Sequence, residues 1–242
     1  MPGNGRGPAP AAQALGGRKR RTAHTAYRST VLPYPEPCLN KAILNPVALH
    51  FARRWHDTHH IHYRQGLAMV RYPGFKGDSG QPHIDNGNNS LLPPTPSDHR
   101  HAQIVFWLFP AGVDPDQAPL RVIATADGGD LDKAEVAAVP AGGAAIFHTY
   151  TWHSASDYQR PDGQRYSWSF GFGRADHYWE GVKQYTDHGH NPHFRTFIAS
   201  LTAAQRSIFW FPPPDHPYYT AQTLAALEEQ YPGWNANDEY GH

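Results

Sequence analysis

Cysteine is almost absent: Cys38 stands alone in 242 residues. No disulfide can form within the chain, and thiolate-rich zinc frameworks are excluded. Net charge is absent too. The 21 basic and 21 acidic residues cancel, which removes any global electrostatic reason to expect nucleic acid or an anionic membrane as a partner. Long apolar runs are missing as well. The longest, "IVFWLFPAGV" at 104–113, is broken by Pro110 and is far shorter than the roughly 20 residues that cross a bilayer, so it reads as a buried strand. Internal repeats are not found. Acidic residues are missing from the first thirty positions, "MPGNGRGPAPAAQALGGRKRRTAHTAYRST", where Gly, Pro and Ala surround a basic cluster at Arg18–Arg21. No apolar stretch follows that cluster, so the segment does not read as a secretory signal. Residues 1–30 are expected to be a disordered basic tail, and residues 31–242 a single domain. A cytoplasmic location fits these absences.

What is present is histidine, proline, glycine and aromatic residues in quantity, a composition that suits a loop-rich, strand-rich protein. "NPVALHFARRWHD" at 45–57 predicts a helix. Asn45 can cap it, Pro46 suits its first turn, and Val47, Phe51 and Trp55 recur on one face that should pack against a sheet. From about 65 to 173 the chain reads as short β-like runs: "GLAMVRY", "QIVFWLF", "LRVIAT", "AEVAAV", "GAAIFHTY" and "RYSWSFGF". Gly, Pro and Asp turns separate them, the spacing of a sandwich or barrel. Helix returns at the end, with "TAAQ" (202–205) as a capping box and "TAQTLAALEEQYPG" (220–233) running from a Thr cap to a Pro-Gly stop.

Chemistry concentrates in two places. In "GQPHIDNGNN" (80–89), His83 and Asp85 are two positions apart, so on a strand they share a face and can converge on one metal. A lone His-x-Asp occurs often by chance. The second place, "GGAAIFHTYTWHSASDYQRPDGQRYSWSFGF", adds His153 after an apolar strand and Arg165 at the start of the next. Two histidines and a carboxylate on one side of a metal, with the other positions open, suit non-haem Fe(II) and O2 chemistry. The planar fork of Arg165 suits the distal carboxylate of an acid bound at that metal. Ser167, on the same face of the strand, could donate to that carboxylate. His148 competes with His153 as the second histidine.

With these residues the chain resembles the phytanoyl-CoA dioxygenase family of Fe(II)- and 2-oxoglutarate-dependent oxygenases. The resemblance rests on "HID" at 83–85, "PAGGAAIFHTYTWHSAS" at 140–156, "DGQRYSWSFGF" at 162–172 and the tail "LTAAQRSIFWFPPPDHPYYTAQTLAALEEQYPGW" at 201–234. It implies a mainly β fold, a double-stranded β-helix or jelly roll with flanking α-helices. It also implies Fe(II) held by His83, Asp85 and His153, with His153 rather than His148 in the ligand register. Arg165 falls at the family's 2-oxoglutarate-binding arginine, and Trp107 where a strand residue lines the cosubstrate pocket. The implied cofactors are Fe(II), 2-oxoglutarate and O2. The implied reaction is hydroxylation of an aliphatic C–H bond in a small-molecule substrate, with neither nucleic acid nor membrane as partner.

The remaining features read more plainly. "HDTHHIHYR" (56–64) lacks regular ligand spacing and reads as a helix end and surface loop. Asn86, Asn88 and Asn89 are turn residues placed where they could also touch a substrate. Two readings of other classes compete. A cupin-type metal enzyme or metal-dependent binding protein would use the same ligands without 2-oxoglutarate, and a metal-free binding module would keep His83, Asp85 and His153 apart.

Overall fold

The computed structural model describes residues 26–77, 81–85, 102–176 and 189–241. Asn86, Asn88, Asn89 and the basic cluster at 18–21 lie outside those residues. The chain starts with β1 (Tyr27–Val31), α1 (Pro37–Ala42), α2 (Pro46–His56) and β2 (Ile61–Arg71). β3 (Ile104–Phe109), β4 (Leu120–Ile123), β5 (Glu135–Ala137), β6 (Gly143–His148), β7 (Trp152–Ala155) and β8 (Arg165–Arg174) follow. The C-terminal part is helical: α3 (Pro192–Ala199), α4 (Ala203–Arg206), α5 (Ala221–Gln230) and α6 (Ala236–Tyr240). Two antiparallel sheets result. One has the order β1-β2-β8-β3-β6 and the other β5-β4-β7. β1 includes residues expected to belong to the tail, because Tyr27–Val31 pairs in full with Arg71–Leu67 of β2.

Strand periodicity explains the placement of the core. On β8, Trp168, Phe170 and Phe172 point to one face and Arg165, Ser167, Ser169 and Gly171 alternate with them on the other. The aromatic face joins the main core, together with Ile104 and Phe106 of β3 and with Phe194, Phe197 and Leu224 of the helices. Trp168 donates from Nε1 to the Tyr34 hydroxyl at 3.0 Å. On the opposite face the buried apolar cluster is small: Val105, Leu120 and Phe147, with Trp107, Val122 and Ala137 packed on it. The helices therefore cover one face of the larger sheet, and the space between the two sheets is lined differently.

Helix α2 forms where expected, with Asn45 Oδ1 accepting from the Val47 and Ala48 amides. Its buried face differs from the expected one. Val47 is 76% exposed and Phe51 40% exposed, while Ala48, Leu49, Ala52 and His56 face inward. The small alanines let the helix axis approach the sheet closely, and Phe51 and Trp55 reach round its sides, Phe51 edge-on to Phe106 at 5.7 Å. The capping box on α4 is present, with Thr202 and Gln205 exchanging side-chain and backbone hydrogen bonds. Thr220 caps α5 in the same way, using Thr223. The stretch 56–64 holds the expected helix end and a short, largely exposed loop at 57–60, but it continues past them. After α2 closes at His56, residues from Ile61 onward enter β2, and the His62 ring packs 3.7 Å from that of Trp210.

β2 carries one irregularity that controls the site. Its pairing with β8 shifts between Tyr63 and Gln65, a β-bulge that leaves Arg64 as the extra residue. Before the bulge the odd-numbered Ile61 and Tyr63 belong to the helix-side core. After it the odd-numbered Gln65, Leu67, Met69 and Arg71 line the cavity between the sheets.

Candidate metal centre

His83 and His153 meet through the backbone. Each donates its amide to the other's carbonyl at 2.9 Å, an isolated antiparallel bridge against β7. Asp85 is not on a regular strand as the two-residue period suggests; it sits in a turn just past that bridge. The turn still brings its carboxylate to the histidines. Asp85 Oδ1 lies 3.6 Å from His153 Nε2 and 3.8 Å from His83 Nε2, and the imidazole centroids are 4.4 Å apart. Among the described residues these three form the one group of metal-ligating side chains whose donor atoms lie within 4.8 Å of one another.

The donor set fits an open divalent site. Two donors each about 2.1 Å from one ion can be no more than about 4.2 Å apart, and both contacts of Asp85 meet that limit. Ring orientation fits too. His153 Nδ1 lies 3.0 Å from the Thr151 carbonyl; a carbonyl can only accept, so Nδ1 carries the proton and Nε2 turns its lone pair toward Asp85. His153 is buried, whereas His83 and Asp85 are partly open. His148 points elsewhere, stacked on Trp55 at 5.7 Å and 22°, with its Nδ1 accepting from the Tyr150 amide.

The three residues stand at one wall of a cavity of about 430 Å³ between the sheets. The facing wall comes from the larger sheet and includes Gln65, Arg71, Trp107 and Ser169. The indole Nε1 of Trp107 is buried without a hydrogen-bond partner. A buried donor in that state costs about 1–3 kcal/mol.

Arg165 occupies a different place from the expected one. It is 2% exposed and is not one of the residues on the cavity wall. Its Nη1 donates to Ser167 Oγ at 2.6 Å, its Nη2 to the Ala118 carbonyl at 2.5 Å and its Nε to the Gln117 carbonyl at 3.3 Å. Ser167 thus accepts from the arginine. Arg71, a residue the sequence motifs do not single out, is the guanidinium on the wall. It is the direct cross-strand partner of Arg165. Burial first, and then the nearby Arg71 charge, push the Arg165 guanidinium down to about 9, so it stays protonated at neutral pH. The signal for Arg71 was the alternation Leu67, Met69, Arg71, in which a charge occupies an inward position of an otherwise apolar strand face.

No protein-family model and no curated protein matches the chain. Solved structures do resemble it. The non-haem alpha-ketoglutarate-dependent epimerase SnoN from nogalamycin biosynthesis superposes with a TM-score of 0.49 at 12% identity, over 62% of this chain and 62% of SnoN. HygX from Streptomyces hygroscopicus, solved with nickel, 2-oxoglutarate and hygromycin B bound, gives 0.48 at 13% identity, over 63% of this chain and 71% of HygX. The non-haem monooxygenase ThoJ in its nickel complex gives 0.42 at 12% identity, over 56% and 53%. The matched part thus spans less than two thirds of SnoN. What this chain does rests on its own site residues.

Proposed function

We propose that the chain is an Fe(II)- and 2-oxoglutarate-dependent dioxygenase that hydroxylates an aliphatic C–H bond of a small-molecule substrate. In this reading it is a member of the phytanoyl-CoA dioxygenase family, and its two sheets are the halves of a double-stranded β-helix. The observation that carries the reading is that a His-Asp-His donor set and one buried arginine, Arg71, line the same cavity. A metal with one end of a 2-oxo acid on it needs a cation at the acid's other end. This reading keeps a basic N-terminal tail outside the catalytic domain, except that Tyr27–Thr30 belong to the domain through β1, and it takes the cytoplasm as its location. No helix of the described residues is long and apolar enough to cross a membrane.

His83, Asp85 and His153 would hold the metal and leave its remaining positions to ligands. When bound, the metal couples oxidation of 2-oxoglutarate by O2 to succinate and CO2 with insertion of the second oxygen atom into the substrate C–H bond. Thr151 keeps His153 in the tautomer that ligates. Arg165 and Ser167 supply positive charge and its support behind the cavity, and Trp107 forms part of its wall. Val105, Leu120 and Phe147 exclude water from the inner end.

The test is succinate formation by the purified protein given Fe(II), ascorbate, O2 and 2-oxoglutarate. Turnover in the parent and none in Asp85→Ala is the expected result. Anaerobic Fe(II) titration adds a readout independent of turnover. Tight Fe(II) binding without succinate or 2-oxoglutarate binding would replace this reading with the cupin-type one.

A further inference from the structure

A second cavity, of about 670 Å³, is lined by residues of β5 and β6, each of them the outer strand of its sheet. It shares no lining residue with the metal cavity. Its walls are apolar: Phe51 and Trp55 come from α2, Ile104 from β3, Val122 from β4, and Ile146 and Phe147 from β6. Phe51, Val136 and Ile146 are all exposed. One exposed hydrophobe is ordinary, but three large ones around a single cavity mark a binding surface. The rim is acidic. Lys133 and Asp127 pair at 2.6 Å and cancel, whereas Glu135 makes no ion pair among the described residues. Glu135 is directly opposite Val122, so its side chain leaves the small sheet on the same side as that of Val122, which packs on the inner apolar cluster. The inner end abuts the metal centre. The Phe147 ring is 5.1 Å from the His153 imidazole, and Thr151, whose carbonyl orients His153, also lines this cavity.

We infer that this cavity binds a small organic cation with an apolar body, an arylalkyl or alkyl amine, with the body between α2 and β6 and the ammonium against Glu135. The inference goes beyond the 2-oxoglutarate reading and does not depend on it. Charge decides the class of ligand. An anion would meet the Glu135 carboxylate and find no unpaired cation, because Lys133 is held by Asp127. His148, the remaining titratable group of the lining, accepts the Tyr150 amide at Nδ1 and is therefore neutral. A neutral apolar molecule would fill the walls and leave Glu135 unused. An amine uses both, and the faces of Phe51 and Trp55 attract its charge further. The volume is that of a small-molecule site. A ligand bound there lies one aromatic ring, Phe147, away from a metal-ligating histidine.

The test uses 2-phenylethylamine, 2-phenylethanol and 3-phenylpropanoate, which carry the same ring with a cationic, a neutral and an anionic end. Each is titrated into the full chain and followed by the NMR shifts of the Phe51, Val136 and Ile146 amides. The amine should bind about 3- to 30-fold more tightly than the alcohol, the scale of one exposed ion pair and one cation–π contact together, and the carboxylate should bind most weakly. Glu135→Gln should shrink the amine's advantage, and Glu135→Lys should reverse the order of amine and carboxylate. Glu135 is exposed on a three-residue edge strand, so neither change disturbs the core. Phe51→Ala should weaken the alcohol as well as the amine, since both place their ring against α2. An alcohol that binds the parent as tightly as the amine overturns the inference, as does an advantage that survives both Glu135 variants. A sedimenting dimer that Ile146→Asp splits into monomers would put a second copy of the chain in the cavity and overturn it as well. None of these titrations involves iron or 2-oxoglutarate, so their failure leaves the 2-oxoglutarate reading standing, and succinate formation tests that reading separately.

Discussion

The two faces of the larger sheet are built from the same strands and do opposite work. One is a continuous apolar core under the helices, in which Phe106, Trp168, Phe170 and Phe172 pack ring against ring. The other carries Gln65, Arg71, Trp107 and Ser169 facing a cavity, with only Val105, Leu120 and Phe147 as a buried apolar cluster. The difference shows how a chain of this size affords an open site. Stability is concentrated on the helix side, where burial of apolar area is largest, so the inter-sheet space can be left unfilled and polar. The buried Arg71 and Arg165, the Trp107 indole nitrogen and the left-handed Ala118 are costly, and these four lie on the cavity side of the fold or just behind it.

The division can be broken from either side. Phe170→Ala should have the largest effect, about 3–5 kcal/mol of stability lost through a cavity in the main core, read by urea unfolding. The folded fraction should bind Fe(II) as the parent does. Asp85→Ala should do the converse: Fe(II) affinity down by at least ~100-fold, since loss of an outer-shell partner alone costs up to about that much, with an unfolding midpoint close to the metal-free parent's. A large loss of stability in Asp85→Ala would show that the two faces are not separable.

Gly66 sits between the two regions. A Cβ there would lie 2.6 Å from both the Ser169 carbonyl and the Tyr63 hydroxyl, so Gly66→Ala should cost about 1–3 kcal/mol by overpacking and should also weaken ligand binding, as seen by paired urea and 2-oxoglutarate titrations. The helix side further carries an alkaline limit. Burial pushes the Tyr34 phenol from 10.0 up to about 12, so the fold holds this proton more tightly than the unfolded chain does. That contribution is complete below about pH 10 and falls away as pH rises toward 12. Tyr34→Phe should flatten the decline in unfolding midpoint over that window. The smallest effect belongs to Val47→Ala, within about 0.5 kcal/mol, because the side chain that helical periodicity points inward is in fact exposed.

Much of the protein follows from local sequence. Asn45, Thr202 and Thr220 cap their helices because side-chain oxygens meet orphan amides in the first turn, an interaction decided within three residues. The alternation Arg165, Ser167, Ser169, Gly171 against Trp168, Phe170, Phe172 separates the two faces of β8 because strand period is two. His83, Asp85 and His153 were identifiable as a donor set from residue type and motif. Tertiary structure alone decided the rest. Which face of α2 is buried depended on how closely a helix with Ala48 and Ala52 could approach the sheet. That Arg71 rather than Arg165 lines the cavity depended on the bulge at Arg64, which reverses the facing of every later residue of β2, and on the Ala118 carbonyl holding both guanidinium groups from across the fold. A bulge is one unpaired residue between strands distant in sequence, so its position is set by the register of β2 against β8 and is not encoded in either strand's own pattern.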